Sequence, residues 1–189
     1  MITDAKSFGE ALRKRRRELG YTQAFLSEFS VSFISDLENG KSTAELGKAI
    51  FLANLLGLWD LLVFNWLLGN TDAHVKNFSL LHSPDLRRVR LAPVYDLVST
   101  TAYRQSTREM AFFIGGALLL DDVTEDAFRQ AARDVGLGER MAMRRFDEMC
   151  RRFKPALHES AEELISAGYD KAAELETRIL QSGGIAKLG

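Results

Sequence analysis

Cysteine is nearly absent from this chain of 189 residues, which contains only Cys150. An internal disulfide is therefore excluded, and such a composition is typical of proteins kept in a reducing compartment. The first residues also lack the apolar stretch and small-residue cleavage site of an export signal. We therefore expect a cytoplasmic protein in which Cys150 is an ordinary packed thiol.

The net charge is also close to zero, at −1 for the whole chain at pH 7. Bulk electrostatics therefore do not make the protein a binder of polyanions. The charge is nevertheless uneven, because residues 1–20 contain six basic and three acidic side chains, a local charge of +3. A basic end on a mildly acidic body indicates one region that faces nucleic acid or another anion.

The chain also has no long apolar run free of polar residues. The most apolar stretch, residues 49–69, is interrupted by Asn54, Gly57, Asp60 and Asn65. A charged side chain in the middle of a membrane span is costly, so we expect a buried core helix and no membrane contact. The hydrophobic content of 46% and charged content of 27% are those of an ordinary globular protein.

Two neighbouring polar segments carry the most informative chemistry. They read Gly69-Asn70-Thr71-Asp72-Ala73-His74-Val75-Lys76-Asn77-Phe78 and Leu91-Ala92-Pro93-Val94-Tyr95-Asp96-Leu97-Val98-Ser99. Asp72 is suited to accept a proton from a hydroxyl nucleophile, and Asn77 and Asp96 offer hard oxygen ligands for Mg²⁺. Protein-kinase catalytic loops supply this combination. The alternative is a polar turn network that caps helices.

The first 57 residues are predicted to form four helices. The first spans 7–19 and ends at Gly20, and the second begins at Thr22. The third spans 32–38 and ends at Asn39-Gly40, and the fourth runs from Ser42 or Thr43 to about Gly57.

This part of the chain resembles the helix-turn-helix of the Xre and phage-repressor family, to which HipB-like antitoxins are similar. The segments that carry the resemblance are 8–13, 20–23 and 33–41. In such a module the third helix enters the major groove and helix N-termini meet phosphates. The resemblance implies that Gln23 and Lys41 contact phosphates and that base edges face Val31, Ser32 and Asp36.

The connection between the second and third helices departs from the family. Only nine residues separate Gln23 from Phe33, and the missing ones fall at the turn. A second interpretation is therefore a helical bundle that keeps the pattern but no longer docks on DNA. Two-fold symmetric dimers are usual for such DNA readers, which makes a homodimer one possible assembly.

The remaining chain is predicted to be mostly helical. A helix over 58–68 leads into the polar loop, and short strands at 78–81 and 89–92 form one hairpin around a turn at Ser83-Pro84-Asp85. Helices are expected over 122–135, 139–153, 155–167 and 170–180. The tail 182–189 is expected to be frayed.

The polar segments, together with 110–116 and 121–124, resemble the HipA family of bacterial serine/threonine kinases, the toxins of HipBA toxin–antitoxin systems. The resemblance covers about residues 58–180. It implies that Asp72 is the catalytic base, that Asn77 and Asp96 bind Mg²⁺, that His74 orients the loop and that Lys76 neutralises transferred phosphate. Mg²⁺ and ATP would be the cofactors of an active enzyme.

No glycine-rich phosphate loop occurs in the sequence, although a kinase needs one. We therefore predict a mainly α protein: an Xre/HipB-like helix-turn-helix over 1–57, joined to a HipA-like kinase C-terminal lobe over 58–189, with one small β-hairpin and no nucleotide-binding lobe.

Three hypotheses about function follow. The first is a HipBA-related protein that binds operator DNA or a HipA/HipB-like partner and has little or no kinase activity alone. The second is an active kinase that obtains its nucleotide lobe from a partner chain. The third is a remnant with no function beyond folding.

Overall fold

The computed structural model describes residues 5–18, 20, 22–23, 35, 38–39, 46–82 and 89–188. The helices within these ranges are α1 (Ala5–Glu18), α2 (Leu46–Leu68), α3 (Glu125–Asp134), α4 (Glu139–Ser166) and α5 (Ala172–Ser182). The strands are β1 (Leu80–His82), β2 (Val89–Leu91), β3 (Glu109–Ile114) and β4 (Ala117–Leu119). The predicted mainly α fold with a small hairpin is therefore confirmed.

The first hairpin lies where the sequence predicts it. β1 and β2 pair antiparallel, with Leu80 opposite Leu91 and His82 opposite Val89. The predicted turn at 83–85 lies outside the described residues. β2 packs against α2, which fixes the hairpin beside the polar loop that follows this helix.

A second hairpin was not predicted from the sequence. β3 and β4 pair antiparallel with Ile114 opposite Ala117, so only Gly115 and Gly116 form the turn. Their φ angles are 54° and 90°, and a two-residue type I′ turn requires positive φ at both positions. A Cβ on Gly115 would lie 2.0 Å from the carbonyl oxygen of Ala127, so the tip packs tightly on α3.

The core lies between α2, α3 and α4 and is rich in aromatic side chains. The ring centroids of Phe128 lie 5.1 Å from Trp66 and 4.7 Å from Phe146. Trp59 packs edge-on against Phe128 and donates its indole N–H to the carbonyl oxygen of Ala142 at 3.0 Å. Aromatic pairs of this kind each contribute about 0.5–1.5 kcal/mol beyond the area they bury.

Helix α2 confirms the expected core helix but corrects its extent. It is continuous over Leu46–Leu68, so the helix end expected near Gly57 is wrong. Glycine weakens a helix interior by only about 1 kcal/mol, which tertiary contacts readily offset. Gly57 also lies against β2, where an added Cβ would sit 3.5 Å from a methyl carbon of Leu91. No helix in the described ranges is both long and apolar enough to cross a membrane.

The predicted break at Pro155 is also wrong, because α4 runs without interruption through this proline. Proline removes the hydrogen bond to the carbonyl of Arg151. Both residues lie on the exposed side of the helix, so the lost bond does not leave a carbonyl unpaired in the core. Phe153 is buried and packs on Phe64 with centroids 5.9 Å apart, so the helix is held on its inner side.

The tail expected to be frayed is instead packed against α2. Residues 184–188 form a short 3-10 helix, and the side chain of Ile185 is only 1% exposed. A Cβ on Gly184 would lie 2.4 Å from the indole of Trp66, and one on Gly183 would lie 2.4 Å from the carbonyl of Leu67. The two glycines permit this close approach of backbone to helix.

The first predicted helix is confirmed, because α1 spans Ala5–Glu18 and the chain turns at Gly20 with φ of 67°. Its arginines Arg13 and Arg16 both donate to Glu38, whose side chain is fully buried. The other three helices of the predicted helix-turn-helix lie wholly or partly outside the described residues.

Candidate active site

The candidate site begins where α2 ends. Gly69 adopts a φ of 75°, and its N–H donates to the carbonyl of Trp66 at 3.0 Å. A Cβ at this position would lie 2.0 Å from the hydroxyl oxygen of Thr101, so only glycine fits. This left-handed residue ends the helix and turns residues 70–72 toward the loop that contains Asp96.

Asn70 is buried directly after this turn, with 5% of its surface exposed. Its side-chain N–H groups donate to the side-chain oxygen of Asn65 at 2.8 Å and to the backbone carbonyl of Asp96 at 3.1 Å. Its own side-chain oxygen accepts from the backbone N–H of Asp72 at 3.2 Å. One amide therefore contacts three segments: helix α2, the loop over residues 70–78 that carries Asp72 (the base loop), and the loop of Asp96.

Thr71 provides a second buried connection. Its backbone N–H donates to the hydroxyl of Thr100 at 2.9 Å, and the two hydroxyl oxygens lie 2.8 Å apart. Its carbonyl accepts from the N–H of Ala111 at 2.9 Å, which joins the loop to β3. The backbone that carries Asp72 is thus fixed on both sides.

The side chains of Asp72 and His74 point outward from this fixed backbone. Asp72 is 65% exposed and His74 47% exposed, and the His74 Nε2 lies 2.8 Å from a carboxylate oxygen of Asp72. The imidazole therefore holds the carboxylate in one orientation while leaving its second oxygen open to solvent. That arrangement suits a base that accepts a proton from an incoming hydroxyl.

Asn77, on the same loop as Asp72, contacts Asp96. Residues 75–77 form a 3-10 turn, from which the Asn77 amide donates to the Asp96 carboxylate at 2.7 Å. The Tyr95 hydroxyl donates to the backbone carbonyl of Lys76 at 2.8 Å. These two bonds hold the loop of Asp96 against the base loop, although Asn77 and Asp96 are 19 residues apart in sequence.

Asp96 has an unusual backbone. Its φ is 59°, and among the described residues no other non-glycine residue has a positive φ. An L-residue in this conformation costs about 1–2 kcal/mol, although aspartate tolerates it better than most. The Asn70 bond to its carbonyl and the Asn77 bond to its carboxylate hold it there.

The structure therefore brings Asn77 to Asp96 and Asp72 to His74, and it leaves the side chain of Lys76 exposed on the same loop. The roles of the buried polar residues Asn65, Asn70 and Thr71 and of the half-buried Thr100 were not recognised from the sequence. Asn65 was read only as an interruption of an apolar helix. Because a buried amide needs partners, its position five residues before Asn70 was a usable signal.

Most of the predicted DNA-contacting residues, namely Val31, Ser32, Asp36 and Lys41, lie outside the described residues. Gln23 is described, and its side-chain amide donates to Glu38 at 2.8 Å. An amide nitrogen carries two hydrogens, so one remains for an acceptor such as a phosphate. The Arg16 guanidinium is the main cause that lowers the pKa of Glu38, and hydrogen bonds from Gln23 and Arg13 add to it.

Comparison with known proteins places the chain in a family. The HipA-like C-terminal domain family matches residues 27–157. This chain belongs to that family. The match begins inside the segment predicted to be a helix-turn-helix, and α2 is continuous across residue 57. The helix-turn-helix and the domain boundary at 57 stay predictions.

The HipA-like chain is similar to two curated Sinorhizobium fredii proteins. It is 38% identical to "Putative kinase Y4mE" over 96 residues, which is 51% of this chain and 22% of that protein. It is 33% identical to "Putative kinase Y4dM" over 93 residues, 49% of this chain and again 22% of the relative. The chain thus spans less than a quarter of the length of these relatives.

Its fold is similar to that of a solved HipA-like structure. The match is a chain in the complex of Shewanella oneidensis HipA, HipB and operator DNA, with a TM-score of 0.58 and 24% identity. It covers 69% of this chain and 30% of the other. The predicted similarity to a HipA kinase lobe is confirmed at the level of family and fold, while the roles of individual site residues stay predictions.

Proposed function

We propose that this HipA-like protein is a component of a toxin–antitoxin system that acts by binding rather than by catalysis. Its N-terminal region binds operator DNA or a HipA/HipB-like partner, and its kinase lobe has little or no kinase activity alone. The observation that carries the proposal is the exposure of Asp72 and His74, on the loop whose Asn77 contacts Asp96, in a sequence with no glycine-rich phosphate loop.

The residues present fit a magnesium ion. Asn77 and Asp96 each keep an oxygen outside their shared hydrogen bond, and amide and carboxylate oxygens are ligands that Mg²⁺ accepts. Among the described residues, no group of three or more His, Cys, Asp or Glu side chains is placed to hold a metal. Two protein ligands, with water and phosphate completing the shell, are usual for Mg²⁺. When bound, the ion would neutralise charge on phosphate oxygens.

The remaining residues then have separate roles. Asp72 accepts the proton of the acceptor hydroxyl, and His74 keeps its carboxylate oriented through the 2.8 Å contact. The exposed Lys76 ammonium offsets charge on the transferred phosphoryl group. Catalysis of this kind depends on groups that act in a water-excluded site, and Asp72 and His74 are both largely open to solvent. The exposure supports low activity for the chain alone.

A second candidate is an active serine/threonine kinase that a partner chain completes. Exposed apolar side chains around the site favour it. Val75 is 77% exposed, and on the loop of Asp96 Tyr95 is 50%, Val98 44% and Leu97 40% exposed. A lobe that covered them would also exclude water from Asp72. The same site would then serve both candidates, and only the presence of the partner would separate them.

A phosphorylation assay distinguishes the candidates. The chain is incubated with γ-labelled ATP, Mg²⁺ and a general protein acceptor, with and without an added HipA- or HipB-like protein, and Asp72→Asn is the matched control. No label above that control in either condition supports a binding protein. Asp72-dependent label that appears only when the partner is present supports the completed kinase. Asp72-dependent label from the chain alone contradicts the proposed loss of activity.

DNA binding needs its own test. A gel shift with DNA from upstream of its own gene, repeated over a salt series, measures both affinity and its electrostatic part. Affinity should fall steeply as salt rises, because phosphate contacts release counterions. Gln23→Ala and Lys41→Ala should weaken binding. Binding that is absent leaves only the partner-binding form of the proposal, and absence of both partner and DNA binding would favour a remnant.

A further inference from the structure

The buried amide of Asn70 links the two halves of the candidate site. The base loop and the loop of Asp96 are separate segments, and the side chains that would do chemistry lie at their exposed ends. Asn70 contacts the backbone of both: it accepts from the Asp72 N–H at 3.2 Å and donates to the Asp96 carbonyl at 3.1 Å. Neither contact involves a group that would touch a substrate.

A purely structural cap would not need this arrangement. The end of α2 is already closed by the Gly69 N–H, which bonds to Trp66, and by the Asn70 backbone N–H, which bonds to the Asn65 carbonyl at 2.8 Å. The Asn70 side chain adds nothing to these backbone bonds. It spends both donors and its acceptor on the Asn65 side chain and on the two loops.

Asn65 fixes the amide that does this. Its side-chain N–H donates to the Leu61 carbonyl one helical turn earlier at 2.8 Å, which leaves its oxygen facing Asn70. The Asn70 amide is thereby oriented with its nitrogen toward Asp96 and its oxygen toward Asp72. An amide that is held from behind sets the distance between the two loops in front of it.

Asp96, whose carbonyl accepts the hydrogen bond from Asn70, also has a strained backbone. Asp96 has a φ of 59°, and its carbonyl direction follows from that angle. Without a partner for the carbonyl, an ordinary β or helical conformation would be favoured and the carboxylate would turn away from Asn77.

We infer that Asn70 is a positioning residue. It holds the base Asp72 and the metal ligand Asp96 at a fixed distance from each other by binding the backbone of both. The inference rests on the proposed function only in naming these two roles, since the geometry itself does not depend on them. Sets of partners behind metal ligands commonly change metal affinity about 10- to 100-fold when they are replaced.

Three variants separate the contacts. Asn70→Asp keeps an acceptor for the Asp72 N–H but removes the donor to the Asp96 carbonyl. Asn70→Ala removes both. Thr71→Val is the matched control, because Thr71 is equally buried and adjacent but bonds to Thr100 and not to Asp96. All three are compared with wild type for folding by circular dichroism and for thermal stability.

The first readout is backbone NMR, which needs no metal. We expect the Asp96 signals to move in both Asn70 variants, whereas the Asp72 amide proton exchanges faster only in Asn70→Ala. Thr71→Val should leave the Asp96 signals in place even if it is equally destabilised. Unchanged Asp96 signals in both Asn70 variants, or equal changes in Thr71→Val, would overturn the inference.

The second readout is the affinity for Mn²⁺ alone, measured by titration calorimetry, with Asp96→Ala as the reference for a lost ligand. Asn70→Asp and Asn70→Ala should weaken Mn²⁺ binding about tenfold or more, and Thr71→Val should change it less than about twofold. If the wild type binds no Mn²⁺, the proposed metal-binding role of Asn77 and Asp96 is wrong. The NMR comparison then tests the positioning role of Asn70 by itself.

Discussion

The Asn77 amide donates to the Asp96 carboxylate across 2.7 Å and joins two loops that the sequence separates by 19 residues. Asp96 makes this contact from a left-handed backbone conformation, with φ of 59°. The chain therefore accepts local strain at the position where an acidic side chain accepts a hydrogen bond from an amide N–H. Strained residues of this kind often mark functional sites, and here the strain can be measured separately from the chemistry.

Replacing Asp96 by glycine or by alanine separates the two effects. Both variants lose the carboxylate, so both should lose Mn²⁺ binding. Only alanine keeps the cost of a left-handed backbone, so Asp96→Gly should be more stable than Asp96→Ala by about 1 kcal/mol in urea unfolding. Equal stabilities would show that φ at this position relaxes once the carboxylate is gone.

A second prediction concerns acid stability. Asp121 accepts two hydrogen bonds from the Arg108 guanidinium, at 2.6 and 2.8 Å, and lies 3.2 Å from the Lys187 ammonium. Hydrogen bonding to Arg108 is the largest cause that lowers the pKa of Asp121 to about 2. The folded pKa is below the unfolded one, so this stabilisation is present above about pH 4 and is lost as the pH falls toward 2.

The size of the effect is limited because Asp121 is partly exposed to solvent. After allowance for solvent screening, we expect about 1 kcal/mol from this group. Urea unfolding of the wild type and Asp121→Asn between pH 7 and pH 2.5 measures it, and the variant should be less stable only at the higher pH values. A constant difference across the range would assign the effect to packing.

A third prediction concerns the N-terminal region. Glu38 has a fully buried carboxylate that accepts hydrogen bonds from Arg16, Arg13 and Gln23. Glu38→Gln removes the buried carboxylate charge that accepts from Arg16, Arg13 and Gln23, and losing a hydrogen bond to a charged group costs about 1.5–3 kcal/mol. We expect loss of amide-exchange protection in α1, whereas the rest of the fold keeps it.

Arg13→Ala is the matched comparison, because Arg13 contacts the same carboxylate from a more exposed position. Its effect should be about 1 kcal/mol or less, as for exposed ion pairs. If both variants change α1 equally, then the charge of Glu38 and not its burial with Arg16 governs the stability of this region.

Local patterns predicted some elements well because their signals are local. α1 ends just before the helix-stop residue Gly20, and the β1–β2 hairpin has two apolar runs around a turn. The Asp72, Asn77 and Asp96 motif likewise depends on spacing, and the structure places Asn77 and Asp96 in contact. In each case the deciding residues lie within the element or motif itself.

The features that sequence did not predict depend on distant partners. Gly57 and Pro155 are helix breakers in isolation, but α2 and α4 continue through them because Leu91 and Phe64 pack on the adjoining turns. Asn70 is a turn residue by propensity, and its contact with the Asp96 carbonyl forms only once the later segment has packed against it. No periodicity within one element carries this information.

The C-terminal segment provides the last prediction. Gly184 lies where an added Cβ would approach the Trp66 ring to 2.4 Å, and both neighbours are held by the core. Gly184→Ala must therefore displace either the indole or the segment that holds the buried Ile185, which should cost about 1–3 kcal/mol. Ala186→Ser is the control, because Ala186 is exposed two residues later and should change stability by less than about 0.5 kcal/mol. Thermal unfolding followed by tryptophan fluorescence measures both, since the Trp66 indole lies at the contact that Gly184→Ala disturbs. If Gly184→Ala is as stable as the control, then the 3-10 segment is not packed on α2 in solution.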